Sequence, residues 1–230
     1  MRKLKRIFLG LSMLLFLLGL SLIHNDINVN AQSPDYTVKT KKEIYKDDDG
    51  NVRGVISYEY PQLKGNTKAI KKINKAIRKK RDAFFTSAKA DDFKVYLTDE
   101  YWIHEKYFYK SKCKVRYAKG NIFSFTEAET LFAGFSSHTY YTGFNYNIKT
   151  AKTLTYKNAI KGNARKKIVK ATKKMLKKEA MDYKKACKEL RAKKHFEFYI
   201  SPGKVKICYQ PFELTRCGQP CMVAVKGRYK

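Results

Sequence analysis

Alternation and helical periodicity divide the chain into short, readable segments. Over residues 55–60, Ile56, Tyr58 and Tyr60 share one parity and Ser57 and Glu59 the other, which predicts a strand stopped by Pro61. After Gly65-Asn66-Thr67 the period changes. Ile70, Ile73, Ile77 and Phe84 recur at helical spacing and leave Lys71, Lys72, Lys75, Arg78, Lys79 and Lys80 to solvent. Residues 93–97 predict a short strand, and residues 107–117 the clearest strand in the chain. There Tyr107, Tyr109, Cys113, Val115 and Tyr117 form one face, while Lys110, Lys112, Lys114 and Arg116 form a charged stripe on the other. Residues 122–125 give another strand, and 140–148 with 153–156 a hairpin around Lys149-Thr150-Ala151-Lys152. From Asn163 the helical period returns, with Ala164, Ile168, Ala171 and Met175 under a lysine-rich exterior. A further helix or a bent continuation of this one carries Met181, Tyr183, Ala186 and Leu190, and strands at 196–200, 205–209 and 222–225 close the chain. Strands in clusters, interrupted by two long helices instead of alternating with helices one for one, predict an α+β fold: an antiparallel sheet with two long amphipathic helices packed on it.

Ahead of this pattern, Arg2, Lys3, Lys5 and Arg6 precede an almost unbroken apolar run over residues 7–23. That is the order of the n-region and h-region of a secretory signal. The run also approaches the roughly 17 to 20 residues that hold a helix in a bilayer. Residues 1–31 therefore read as a signal peptide, cleaved after Ala31, or as a signal anchor, and either places the rest outside the cytoplasm. Residues 32–50 form a polar N-terminal segment, read as a tether, a first strand and a turn. The remainder has no low-complexity linker or internal repeat and is long enough for one sizeable core or two closely packed small units.

Charge narrows the partners. Beyond residue 31 there are 46 basic and 19 acidic side chains, a formal +27, a field that attracts polyanions. For an exported protein these are an anionic cell-wall polymer, a peptidoglycan fragment, lipid headgroups or a wall-associated protein; a nucleic-acid partner is not expected. Cys113, Cys187, Cys208, Cys217 and Cys221 fit an oxidising compartment. Their odd number leaves the pairing open, with a bridge among Cys208, Cys217 and Cys221 preferred because 217–221 lies between two strand-like runs. A metal site from those three with His195 lacks paired ligand spacing, so no metal or other cofactor is expected.

Other candidate chemistry falls away on inspection of its spacing. His104-Glu105 begins like the zinc-protease helix, but Phe108 stands where the second histidine must be. His195 and Glu197, two apart on one strand, read as an ion pair or a solvated pair. Glu127 and Glu129 are paired carboxylates with no defined reaction. Cys187, in a helical pattern with no nearby histidine, reads as core or as a bridge partner. No catalytic residue is assigned.

Two sets of residues carry a resemblance. Tyr58-Glu59-Tyr60-Pro61-Gln62-Leu63-Lys64-Gly65, followed by Ile73-Asn74 and Ile77, resembles the start of the PdaC-type domain (DUF4163) found ahead of some bacterial peptidoglycan deacetylases. Gly134 and His138, Gly143-Phe144-Asn145-Tyr146-Asn147, Lys149-Thr150, Lys152, Thr153-Leu154-Thr155, then Phe212-Glu213-Leu214 with Gly218, are similar to the RsiV-like C-terminal domain (DUF3298) that follows it. The resemblance implies an extracytoplasmic α+β module, in RsiV-like proteins a sensor that binds lysozyme. It divides the chain into a PdaC-like subdomain over 51–118 and an RsiV-like subdomain over 119–230, packed as one unit. The chain departs from the family where Phe135, Ser136 and Ser137 separate Gly134 from His138, where Asn147 replaces an aspartate, and where Ala151 replaces a turn glycine. Lysozyme is cationic, so a basic receptor would meet it against long-range repulsion. With six residues ahead of the apolar run and an end at Lys230 just past the last predicted strand, the expectation is a stand-alone exported copy without a deacetylase or sigma-factor-binding domain.

The expected function is that of a non-enzymatic cell-envelope binding or sensing module with a strongly basic surface. Its candidate ligand contacts are His138, Tyr140, Tyr141, Asn145 and Asn147 together with Lys110, Lys112, Lys114 and Arg116. For His138 the structural reading, a ring hydrogen bond at the start of a strand, stands beside the contact reading. Two other functions stay open: a small cell-wall glycan hydrolase or deacetylase-related enzyme using His138, and a binder of an acidic extracellular protein.

Overall fold

The structure, a computed structural model, describes residues 33–89, 107–132, 137–180, 182–215 and 218–230. The expected leader, the strand at 93–97, His104, Glu105, Gly134, Met181 and Cys217 lie outside the described residues. Strands β1 (Tyr36–Lys46) and β2 (Val52–Leu63) lead into helix α1 (Lys68–Ala88), followed by β3 (Tyr107–Lys119), β4 (Ile122–Phe132), β5 (Ser137–Asn147) and the short β6 (Lys152–Thr153). Helices α2 (Tyr156–Ala159), α3 (Ala164–Glu179) and α4 (Tyr183–Ala192) then precede β7 (Glu197–Ser201), β8 (Lys204–Tyr209) and β9 (Cys221–Lys226). The strands make one sheet in the order β1-β2-β3-β4-β5-β6 and a second in the order β7-β8-β9. Every neighbouring pair is antiparallel except β2 and β3, which run parallel. The fold is α+β as expected, with that one parallel pair added. A parallel pair needs a long crossover, and the stretch that contains α1 supplies it.

Helix α1 covers one face of the large sheet. Thr67 caps it by accepting from the Ile70 amide at 3.2 Å, and Ile73, Ile77, Phe84, Phe85 and Ala88 bury its apolar stripe. Asn74, also buried, accepts from the Leu63 amide at 3.0 Å and donates to the Leu63 carbonyl at 2.8 Å, so its amide takes the place of a neighbouring strand at the end of β2. Arg81 meets the Tyr60 hydroxyl at 3.1 Å, so α1 runs antiparallel to β2.

The second sheet packs with α3 and α4 around another core that includes Ile168, Leu176, Leu190, Ile200, Val205 and Ile207. On α3 the buried stripe is Ala164, Ile168, Thr172 and Leu176, with Ala171 and Met175 only half-buried. Thr172 takes the inner position because its hydroxyl is fully engaged, donating to the Ile168 carbonyl at 2.9 Å and bonding the Tyr209 hydroxyl at 2.6 Å. Among the described residues no helix is long and apolar enough to cross a membrane. The β3–β4 turn at Gly120-Asn121, beside the subdomain boundary drawn from the resemblance, lies inside one continuous sheet.

Candidate functional site

Strand register sorts the candidate contacts onto two faces. Directly opposed residues share a face. Cys113 faces Glu127, which faces Thr142; Ser111 faces Glu129, which faces Tyr140; Leu131 faces His138. These belong to the α1 side, with Tyr58 and Phe125. Lys110, Lys112 and Lys114 face Thr130, Ala128 and Thr126, which face Thr139, Tyr141 and Gly143, so the lysines share the opposite side with Tyr141, Asn145 and Asn147. His138 and Tyr140 are thus separated by the sheet from the basic stripe, and the expected contacts do not make one concave surface.

The stripe itself is divided. Lys112 and Lys114 are exposed, but the Lys110 amine lies 4.2 Å from the Phe108 ring centre. Arg116 donates to Thr126 Oγ1 at 2.9 Å and stacks 4.8 Å from the Tyr199 ring, inside the contact with the second sheet. Asn145 is buried in the same contact. It accepts from Ser124 Oγ at 2.7 Å and donates to the Phe198 carbonyl at 2.8 Å, while Ser124 Oγ also accepts from the Ile200 amide at 2.9 Å. Gly143 lets the strands approach: a Cβ there would meet the Phe198 carbonyl oxygen at 1.9 Å. Asn147 holds the following turn by accepting from the amides of Lys149 and Thr150 at 3.0 and 3.1 Å.

Side chains also close the open edge of β5. Gln210 accepts from the Tyr141 amide at 2.9 Å and donates to its carbonyl at 2.6 Å; Glu197 accepts from the Gly143 amide at 2.7 Å. Glu197 is therefore an edge cap, while His195 is exposed just ahead of β7. Sequence reasoning missed Gln210 altogether, since a single glutamine after a strand carries no periodic signal.

On the α1 side a polar cluster is buried. Glu127, 1% exposed, accepts a hydrogen bond from the Tyr58 hydroxyl, and Glu129 accepts from the Tyr109 hydroxyl at 3.4 Å. Burial lifts the Glu127 carboxyl to about 7, with the neighbouring Glu129 adding to the rise and the Tyr58 bond and Lys80 opposing it. Burial also raises Glu129, and burial followed by the charge of Glu127 pushes the Cys113 thiol up to about 12. Ser111 Oγ is buried there without a hydrogen-bond partner. The pairing of Glu127 with Glu129 on one strand face was legible, but Tyr58 and Ser111 come from other strands.

His138 sits at a corner of the sheet. Its Nδ1 is 3.4 Å from the Gly218 carbonyl and its ring packs edge-on against Phe212 at 5.4 Å. A Cβ on Gly218 would press on the Phe212 ring at 3.2 Å and reach ordinary contact with the His138 ring at 3.6 Å. The resemblance residues His138, Phe212 and Gly218, distant in sequence, thus meet in space. Phe212 has φ 61° and is 57% exposed, and Tyr140 nearby in β5 is 48% exposed.

Cys113, Cys187 and Cys208 carry free thiols, and Cys208 is wholly buried with its thiol pushed up to about 12 by desolvation. Cys221 lies near Thr215 Oγ1 at 3.8 Å and Glu179 at 3.7 Å. Among the described residues no three His, Cys, Asp or Glu side chains converge to hold a metal ion.

A concentration of uncompensated charge lies on α3. Lys166, Lys170 and Lys177 are exposed, with Lys173 half-buried on the same stripe, and among the described residues none has a carboxylate partner. Sequence reading described this stripe only as the lysine-rich exterior of a helix.

Comparison with known proteins agrees with this architecture. The PdaC family, described as "Deacetylase PdaC", matches residues 38–143, from β1 into β5. A DUF3298 family protein from Pseudomonas aeruginosa PAO1 has a similar fold, with a TM-score of 0.55 at 8% identity, covering 85% of this chain and 92% of that one. A member of the same family from Bacteroides fragilis NCTC 9343 aligns with a TM-score of 0.55 at 12% identity, covering 86% and 92%. No curated protein matches the chain. The chain combines a PdaC-like segment with a fold shared with DUF3298 family proteins.

Proposed function

We propose that the protein is a non-enzymatic cell-envelope binding module that meets an anionic polymer outside the cytoplasm through the basic surface of α3. The observation that carries this reading is the stripe of Lys166, Lys170, Lys173 and Lys177, four like charges on successive turns without a carboxylate partner among the described residues. Like charges at this spacing repel each other, and a polyanion laid along the helix relieves that repulsion. The apolar run at 7–23 supports export, and the PdaC-like segment supports a place at the envelope. The rest of the molecule acts as scaffold in this reading: the polar contacts of Arg116, Asn145, Gln210 and Glu197 lock the two sheets and present α3 on a fixed frame. Cosedimentation of the full chain with a purified anionic wall polymer tests it. Changing all four lysines to Gln is expected to weaken binding by at least about tenfold at low salt, equivalent to ~1.4 kcal/mol; unchanged binding removes the reading.

A further inference from the structure

A second concentration of positive charge is built differently from the α3 stripe, as a cleft between β1 and α1. Its volume is about 430 Å³, and Thr37 and Lys39 of β1, Gln62 of β2 and Lys71 and Arg78 of α1 line it. Leu63 and Asn74 form its inner part, and both are held in place by the two hydrogen bonds that join them. The frame is therefore rigid where the charged side chains are rooted.

The charges fall into two poles. Asn74 is fixed beside Leu63, and α1 runs antiparallel to β2, so Lys71 lies one turn toward Lys64 and Arg78 one turn toward Tyr60. Lys39 is directly opposite Tyr60, which puts it at the Arg78 end. One pole thus consists of Lys64 and Lys71 and the other of Lys39 and Arg78, about 10 Å apart along the helix. Lys64 is held by Asp35 at 3.0 Å, whereas among the described residues Lys39, Lys71 and Arg78 have no carboxylate partner. Between the poles Thr37 and Gln62 are opposed across the β1–β2 pair and offer uncharged donors. No aromatic ring lines the cleft among the described residues.

We propose that this cleft binds a chain of polyol phosphodiesters, with successive phosphates at the two poles. Three uncompensated cations suit two singly charged phosphodiesters, and the fork of Arg78 can hold two oxygens of one of them. A spacing of about 10 Å selects an extended, repeating anion over a single compact one. A single-stranded nucleic acid carries the same linkage, but its binding draws on aromatic rings under the bases, which the cleft does not offer. The cleft is separate from α3, so this inference and the proposed function can fail independently.

Titration of the full chain with a defined glycerol-phosphate trimer, followed calorimetrically, tests the assignment. Saturable binding is expected, at least about tenfold tighter than that of glycerol 3-phosphate, because only the trimer reaches both poles. Lys71→Gln and Arg78→Gln, both exposed and outside the buried stripe of α1, are each expected to weaken the trimer by about three- to tenfold while circular dichroism stays unchanged. The variant with four α3 lysines changed to Gln is expected to keep the discrimination between trimer and monomer. The proposal is overturned by the absence of saturable binding, by trimer affinity unaltered in the Lys71→Gln/Arg78→Gln double variant, or by an oligonucleotide trimer binding as tightly. If the α3 variant alone abolishes binding, the cleft assignment falls and the α3 reading stands.

Discussion

The two faces of the large sheet treat buried polar groups in opposite ways. Toward the second sheet, Ser124 and Asn145 are completely engaged, and each of their bonds ends on another element's backbone or on the other side chain. Toward α1, Glu127 is held between Tyr58 and a second carboxylate, and Ser111 has a hydroxyl with nothing to bond. Satisfied polar contacts specify one arrangement of β7 on β5, whereas an under-satisfied cluster leaves stability sensitive to protonation. The first face is a lock and the second an adjustable support for α1.

Substitutions should separate the two. Gly143→Ala is expected to have the largest effect, above about 4 kcal/mol or loss of soluble protein, because its Cβ would collide with the Phe198 backbone, which cannot rotate away. A denaturation midpoint close to that of the parent would mean that β7 does not approach β5 so closely. Glu127→Gln comes next, through pH. In the folded protein the carboxyl titrates near 7 against a reference of 4.5, so the fold favours its neutral form. This contribution is fully present below pH 4.5 and is lost as pH rises to about 7, a swing on the order of 3 kcal/mol. Melting temperature of the parent should fall across that window, apart from other groups, and the Gln variant should fall less; parallel profiles would place Glu127 in water. Glu129 shifts in the same direction, so part of the slope should remain.

Asn145→Ala should cost about 2 kcal/mol in chemical denaturation, since it strands the Phe198 carbonyl and removes the acceptor of Ser124. Ser111→Ala should be the mildest, neutral or stabilising by up to about 1 kcal/mol, because the hydroxyl it removes has no partner. A clear loss of stability in Ser111→Ala would erase the contrast between the faces.

Periodicity made most of the fold legible. The strands at 55–60, 107–117 and 205–209 and both long helices lie where alternation and helical spacing put them, because burial of one face leaves a period of two or 3.6 in the sequence, although Pro61 does not stop the first strand, which continues through it to Leu63 in its pairing with β1. β1 was legible only as part of a polar segment: it is an edge strand with mostly exposed residues, and it alternates weakly. Thr172 was lost to Ala171 because a satisfied hydroxyl can occupy a core position that a polarity pattern rejects. The candidate site was less legible. Alternation within β3 holds as far as Val115, but a bulge between Val115 and Tyr117 turns Tyr117 into the core of the second sheet instead of onto the face of Cys113 and Val115, and the relative parity of two strands depends on register, which alone decided that Lys112 and His138 lie on opposite faces. The meeting of His138 with Phe212 and Gly218, and the cleft between Lys39 and Arg78, are long-range pairings with no local signature.

The most direct test of the central claim, that a polyanion lies along α3, is the salt dependence of binding. Affinity of the full chain for an anionic wall polymer should fall steeply as salt rises, and neutralising Lys166, Lys170, Lys173 and Lys177 should make the logarithmic slope shallower by about three to four, since each lysine that pairs with the polymer releases about one counterion from it. A slope identical in parent and variant would contradict the account.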